Sequence, residues 1–346
     1  MDVVALIEPA TGSDALNVPF VAADVGGTHV RIGLIHPGDG TQPVRILQYR
    51  KYACAQYPGL TEIFAEFLSG LDGEPVRRGV IASAGYALED GTVITTNLPW
   101  RLSPRDIRER LEFLDLRLVN DFEAVAHAAA LVDASQVLQL TGPDTPPTRG
   151  PTLVLGPGTG LGAAVWIPAG KRPVVLPTEA GQAALTPGNA IEIALLTEML
   201  KTRSHVPVEH ALSGPGLLNL YTTLCSLRAV ELTFATPGEI SAAAMDGSDA
   251  LARETLEIFC GLLGSTVGDM ALLYGVQGGI YLAGGILPQI REFLIHSSFV
   301  ERFLDKGPMR AALERIPVRL VEHGQLGVIG AANWYLGLRE GGVVEL

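Results

Sequence analysis

The chain has 346 residues, with 25 Lys and Arg against 37 Asp and Glu, for a formal charge of -12. At about 100–200 residues per domain this suffices for two domains or one large α/β unit, and 47% apolar against 18% charged content argues against disorder. The acidic balance argues against a broad nucleic-acid or anionic-membrane surface, since both need clustered Lys and Arg, yet it leaves room for a local phosphate site.

In chain order, Pro19 to Ala23 runs into a glycine pair and then the apolar Val30 to Ile35, which reads as strand, tight turn, strand. Apolar positions at 60, 63, 64, 67, 68 and 71 predict a helix over Leu60 to Leu71, and Val80 to Ala84 a short strand. Ser103-Pro104 reads as a cap and first helical residue, opening an amphipathic helix. Leu116 to Val119 is a strand ending on Asn120-Asp121, followed by an Ala-rich helix from Phe122 to Val132. A turn cluster at 141–151 restarts the pattern: a strand over Thr152 to Leu155, a glycine loop, then a strand over Ala163 to Ile167. This second strand–glycine turn–strand hints at two related halves. Helices follow at Asn189 to Leu200 and Thr255 to Tyr274, strands at Gly279 to Leu282 and Arg319 to Glu322, and a closing helix at Gly327 to Leu336. Alternating strands and helices favour mixed sheets with helices on their faces.

Cys54, Cys225 and Cys260 are far apart without CxxC spacing, so neither a disulfide framework nor a thiolate zinc site is expected, and a reducing cytoplasm is the natural home. The first residues lack a basic n-region and do not read as a signal peptide. Met270 to Pro288 carries no formal charge over nineteen residues, but its five glycines divide it into a buried helix and a buried strand, so no membrane span is expected. The seven histidines show no metal spacing.

Four segments carry chemistry. Asp24-Val25-Gly26-Gly27-Thr28 ends a strand with adjacent glycines, which admit positive φ and clear room for a phosphate. Asp24 can hold Mg²⁺ directly or through water, and Arg31 lies near enough to help with phosphate charge; an ordinary hairpin turn also fits. Gly156-Pro157-Gly158-Thr159-Gly160-Leu161-Gly162 holds more glycine than a hairpin needs. It matches neither a Walker A loop nor a dinucleotide fingerprint, which favours a phosphate cradle of another type. Gly284-Gly285 lets a flat ring or ribose lie against the backbone, or makes a plain turn. Asp121, between a strand end and a helix start, stands where open α/β sheets bind ligands and can accept a hydroxyl proton beside Asn120; both residues also suit a helix cap.

Taken together and in order, DVGGT, VNDFEAVAHA, GPGTGLG, LPTEAGQ, VEHALSGPGL and IYLAGGILP resemble the bacterial ATP-dependent glucokinases of the hexokinase/actin-like superfamily, from about residue 20 to the C-terminus. The resemblance implies an actin-like ATPase (ribonuclease H-like) fold whose two α/β domains close on sugar and nucleotide. The small domain would be residues 1–121 joined by the C-terminal helix 326–346, and the large domain 122–325. It further implies that Asp121 is the base for the sugar 6-hydroxyl, and that Asn97, Asn120, Glu179 and Glu209 bind the sugar. The segment Ala23, Asp24, Val25, Gly26, Gly27, Thr28 becomes the first phosphate loop, with Asp24 near Mg²⁺. Gly158, Thr159 and Gly160 become the second loop, and Gly284-Gly285 the adenosine turn. Glucose or a related hexose, ATP and Mg²⁺ are then the ligands, the reaction glycolytic, and a homodimer the expected assembly, with neither nucleic acid nor membrane as partner.

One departure bears on specificity: where such enzymes carry Glu-Gly-Gly-His, this chain has Glu179-Ala180-Gly181-Gln182, so Gln182 takes the place of a sugar-binding His. Ser83 to Tyr86 also departs from the Pro-Ile-Thr-Gly-like turn on the sugar side. A weakened kinase, a kinase for another hexose or amino sugar, and a sugar-binding sensor all stay open. A DNA-binding repressor is not expected, because residues 1–19 are too short for a helix-turn-helix.

Overall fold

The computed structural model of the chain describes residues 18–39, 42–87, 93–94, 98–129, 136–144, 150–170, 173–321 and 324–341. It begins with β1 (Phe20–Val25), β2 (His29–Asp39), β3 (Gln42–Ala53), α1 (Leu60–Ser69), β4 (Arg78–Ser83), β5 (Tyr86–Ala87) and β6 (Val93–Ile94). α2 (Pro104–Arg110), β7 (Asp115–Asn120), α3 (Asp121–Ala129), β8 (Val137–Thr141), β9 (Thr152–Pro157), β10 (Leu161–Ile167) and β11 (Val174–Thr178) follow. Next come α4 (Ala190–Met199), α5 (Gly214–Arg228), α6 (Pro237–Asp246), α7 (Ala250–Leu273) and β12 (Gly279–Leu282). The chain finishes with α8 (Arg291–His296), α9 (Phe299–Leu304), α10 (Arg310–Leu313), β13 (Val318–Val321) and α11 (Leu326–Gly341). It divides into two units, Met1–Ala124 with Gly327–Leu346, and Val125–Leu326.

The first unit is built on a sheet of order β3-β2-β1-β4-β7. β1 runs antiparallel to β2, placing Asp24 opposite Arg31, and parallel to β4, which is itself parallel to β7. Alternate residues of β1 face opposite sides: Val21, Ala23 and Val25 join Ile63, Phe64 and Phe67 of α1, while Phe20 and Ala22 join Val328, Ala331, Ala332 and Tyr335 of α11. Both faces are covered, which is why FVAADV is almost continuously apolar instead of alternating. The register sets Val25, Ser83 and Asn120 in one row at the carboxyl ends of three parallel strands. With strands about 4.8 Å apart, the row holding Asp24 spans roughly 10 Å from β1 to β7.

The second unit carries a sheet of order β11-β10-β9-β12-β13-β8. Its first five strands repeat the arrangement of the first unit: two antiparallel pairings, then two parallel ones. The two related halves expected from the glycine turns are therefore present in strand order, with β8 added antiparallel at one edge. α7 is the central core helix. Its Gly264 touches α9 so closely that a Cβ there would overlap the Phe299 carbonyl. By length and composition α7 could cross a membrane, but 72% of its apolar window is buried inside the protein, as a core helix requires. The span-like stretch from Met270 resolves into the end of α7, a turn and β12.

A buried ion pair ties two helices of this unit. Glu192, 3% exposed, accepts from Arg302 Nη1 at 2.6 Å and Nη2 at 3.0 Å, from the Gly188 amide at 2.6 Å and from Asn189 Nδ2 at 2.9 Å. The three cysteines are free and buried.

Candidate active site

In the first unit, the turn from β1 to β2 is closed by the Gly26 amide donating to the His29 carbonyl at 3.1 Å. From behind, the Cys54 amide donates to Thr28 O at 2.9 Å and the Cys54 thiol to Gly26 O at 3.3 Å. Burial pushes that thiol's pKa up, so it stays a protonated donor. Sequence reasoning did not find this clamp, because twenty-eight positions separate its partners.

Asp24 is the penultimate residue of β1, its side chain 21% exposed, and Arg31 Nη1 lies 3.2 Å from its Oδ2. Arg31, expected to assist with phosphate charge, is thus engaged across the strand pair. Burial pushes the Asp24 carboxyl up and Arg31 pulls it back. Gly327, in the first turn of α11, lies directly on Asp24: a Cβ there would overlap the carboxyl carbon. Asp24 therefore meets a helix N-terminus, which favours its charged form. A single carboxylate of this kind suits Mg²⁺, which binds through one or two carboxylates and otherwise keeps water and phosphate oxygens. Among the described residues no cluster of three or more His, Cys, Asp or Glu could hold a metal. Burial lowers the pKa of His29, His127 and His210, and none joins such a cluster.

Asn120 and Asp121 occupy the strand-to-helix corner. Asn120 Oδ1 accepts from the Phe122 and Glu123 amides, both at 3.0 Å, so Asn120 is the cap of α3. Asp121 is the first helical residue, half-buried, with Oδ1 accepting from the Phe122 amide at 2.9 Å. Asn120 takes the cap of α3 with its side-chain carbonyl, and Asp121 follows it as the first helical residue, at the carboxyl end of β7. Asn97 lies outside the described residues.

In the second unit, β9 turns into β10 through Gly158, Thr159 and Gly160, with the Gly158 amide donating to Gly160 O at 2.7 Å. Gly284, at φ 96°, packs on the Pro157 carbonyl, and a Cβ on Gly156 would overlap Ala283 O. The second loop and the Gly284-Gly285 turn therefore meet backbone to backbone. A third segment joins them: the Gly214 amide, opening α5, donates to Gly158 O at 2.8 Å, while Ser213 Oγ caps Gly216 N at 2.9 Å. Helix α5 thus brings its N-terminus to the glycine loop, a setting suited to anions. SGPG carried that signal in sequence: Ser as cap, Pro at the second helical position.

The polar residues of this unit also converge. Gln182 Nε2 donates to Glu209 Oε1 at 2.8 Å, and the Leu161 amide to Glu209 Oε2 at 3.3 Å. Glu179 is exposed at the head of the short 3-10 turn that ends on Gln182. His205 Nε2 lies 2.9 Å from Gln182 O. Gly181 is required here, since a Cβ would overlap Leu161 O. Glu209 therefore links the polar cluster to the residue immediately after the glycine loop.

A family model described as Glucokinase matches residues 21–337. A glucokinase-like protein of Xylella fastidiosa is 57% identical over 330 residues, covering 95% of this chain and 98% of that one. The crystal structure of glucokinase from an Antarctic psychrotroph is 34% identical, with a TM-score of 0.78 over 91% of this chain and 98% of that one. A glucokinase of the ROK family from Streptomyces griseus, solved with glucose and AMPPNP, shares the fold at 22% identity, with a TM-score of 0.63 over 92% and 99% of the two chains. The repeated sheet order and these likenesses define an actin-like ATPase fold of the hexose kinase class. The chain belongs to the glucokinase family.

Proposed function

We propose that the protein transfers the γ-phosphoryl group of ATP to the 6-hydroxyl of a hexose, D-glucose foremost, in the cytoplasm. The supporting observation is the pair of carboxylates on one sheet edge: Asp121 on the first turn of α3 and Asp24 two strands away. In this reading Asp121 takes the hydroxyl proton as O6 attacks the γ-phosphorus, the bond to the bridging oxygen breaks, and ADP leaves with that electron pair. Asn120 Nδ2, on the amide whose oxygen caps α3, orients the hydroxyl, with Asn97 as a further sugar ligand. Glu179, Gln182 and Glu209 hold the remaining hydroxyls, each of which both donates and accepts.

The loops Gly26-Gly27-Thr28 and Gly158-Thr159-Gly160 and the Gly284-Gly285 turn receive the nucleotide: the Gly26 and Gly158 amides close the two loops, and Gly27, Thr28, Thr159 and Gly160 offer theirs to the phosphates. Asp24 would hold Mg²⁺, which when bound neutralises charge on the β- and γ-phosphates. Three free, buried cysteines agree with a reducing compartment.

Titration calorimetry with a panel of hexoses and amino sugars, beside a coupled ADP-release assay, tests the reading. Glucose turnover supports it; turnover of another sugar moves the substrate; binding without ADP release makes the chain a sensor. Gln182 is the specificity test. Its side chain already engages Glu209, so Gln182→Ala removes the donor to Glu209 Oε1 and leaves the Leu161 amide on Oε2. Loss of one such hydrogen bond costs about 1–3 kcal/mol, so sugar KM is expected to rise roughly 5- to 150-fold with kcat at saturating sugar retained. An unchanged KM in steady-state kinetics would remove Gln182 from the sugar site.

A further inference from the structure

Helix α11 makes three separate contacts within the first unit. Its first turn lies on Asp24 through Gly327, and its middle packs Val328, Ala331 and Ala332 on the sheet. Its middle also reaches α3 and β7: Trp334 Nε1 donates to Glu123 Oε1 at 2.8 Å, and the Tyr335 hydroxyl to Asp115 Oδ2 at 2.7 Å. Glu123 is held at both ends, because its amide also donates to Asn120 Oδ1. Asp121 sits between those two fixed points.

A half-buried carboxylate answered by one neutral donor is a poor device for stability, since its partial desolvation offsets the gain. Such a pair does fix register. α3 needs that, because its buried positions Ala124, Ala126, Ala128 and Ala129 are all alanine. Small smooth side chains pack tightly without defining where along the helix they pack, and a nine-residue helix is marginal by itself.

We propose that Glu123 and Trp334 are positioning residues for phosphoryl transfer. The Trp334–Glu123 hydrogen bond locks the first turn of α3 to α11 and fixes the Asp121 carboxylate relative to Asp24, which the same helix seats in its first turn. The inference rests on the reading of Asp121 as the base.

Its test is steady-state glucose phosphorylation with MgATP in Trp334→Phe, Glu123→Ala, Glu123→Gln and the Trp334→Phe/Glu123→Ala pair, with thermal melts and Asp121→Asn alongside. A small misplacement of a reacting group costs up to about 10²-fold. Trp334→Phe, which keeps the ring and loses the donor, is expected to lower kcat roughly 10- to 100-fold at unchanged sugar KM and nearly unchanged melting temperature. Glu123→Gln keeps an acceptor and is expected to recover most of the rate that Glu123→Ala loses. The double variant should be no worse than either single one. A wild-type kcat in Trp334→Phe, a Glu123→Gln as slow as Glu123→Ala, or a loss that follows melting temperature overturns the inference. If Asp121→Asn collapses the rate while Trp334→Phe does not, only this inference falls. If Asp121→Asn stays active, or the wild-type chain releases no ADP with any sugar of the panel, both fall; if another sugar is the substrate, the same variants are read with that sugar.

Discussion

Asp121→Asn is expected to lower turnover by a factor on the order of 10²–10⁴ while leaving sugar affinity nearly intact. The amide has the shape of the carboxylate, and its oxygen can still accept from the Phe122 amide, as Asp121 Oδ1 does at 2.9 Å. The cap of α3 is supplied by Asn120 and is untouched by the change. What disappears is the capacity to take a proton from the attacking hydroxyl. Calorimetry for binding and a single-turnover assay for chemistry separate the two effects, and lost binding with retained turnover would refute the assignment.

Glu192→Ala is expected to destabilise the second unit strongly. Four donors converge on this carboxylate, and removing it strands the Arg302 guanidinium, whose side chain is only 15% exposed. Breaking one partner out of a buried pair costs about 3–5 kcal/mol. At about 2–4 °C per kcal/mol for a unit of this size, the melting temperature should fall by roughly 6–20 °C. Replacing both partners, as Glu192→Leu with Arg302→Met, should cost less than the single change, because no charge is then left buried. A double variant at least as unstable as Glu192→Ala would show that the pair itself contributes most of the stability. Thermal or urea unfolding reads either outcome.

Elements governed by local chemistry were legible in sequence. The glycine turns between β1 and β2 and between β9 and β10, the Ser103 cap at 3.2 Å from the Asp106 amide, and β12 over Gly279–Leu282 all stand where turn and cap rules put them. β3 and β11 escaped notice because neither has an alternating apolar face: each is an edge strand, one rich in Arg, Lys and Gln and the other exposed over most of its length. α5 and α6 have no counterpart among the sequence-based elements, because they open on Gly-Pro-Gly and Pro-Gly; in the first helical turn, where amides lack intrahelical partners anyway, proline is tolerated. α7 begins at Ala250, earlier than periodicity suggested, because Asp249 caps it.

The site was legible as motifs and not as contacts. Nothing in the spacing of Gln182 and Glu209 announces that they bond across twenty-seven positions. The same holds for Trp334 and Glu123, separated by 211, and for the seat that Gly327 provides for Asp24. Local rules place a side chain on an element; the sheet order decides which distant element it meets.

Residues 125–326 form a continuous insertion within the other unit, whose final helix comes last in the chain. During synthesis the inserted portion can fold while Phe20, Ala22, Val80 and Ala82 still lack the partners that cover them, Val328, Ala331, Ala332 and Tyr335. The nascent protein therefore carries an uncovered greasy face until its tail leaves the ribosome, and a stop codon just before residue 327 would leave a protein half finished and prone to clump.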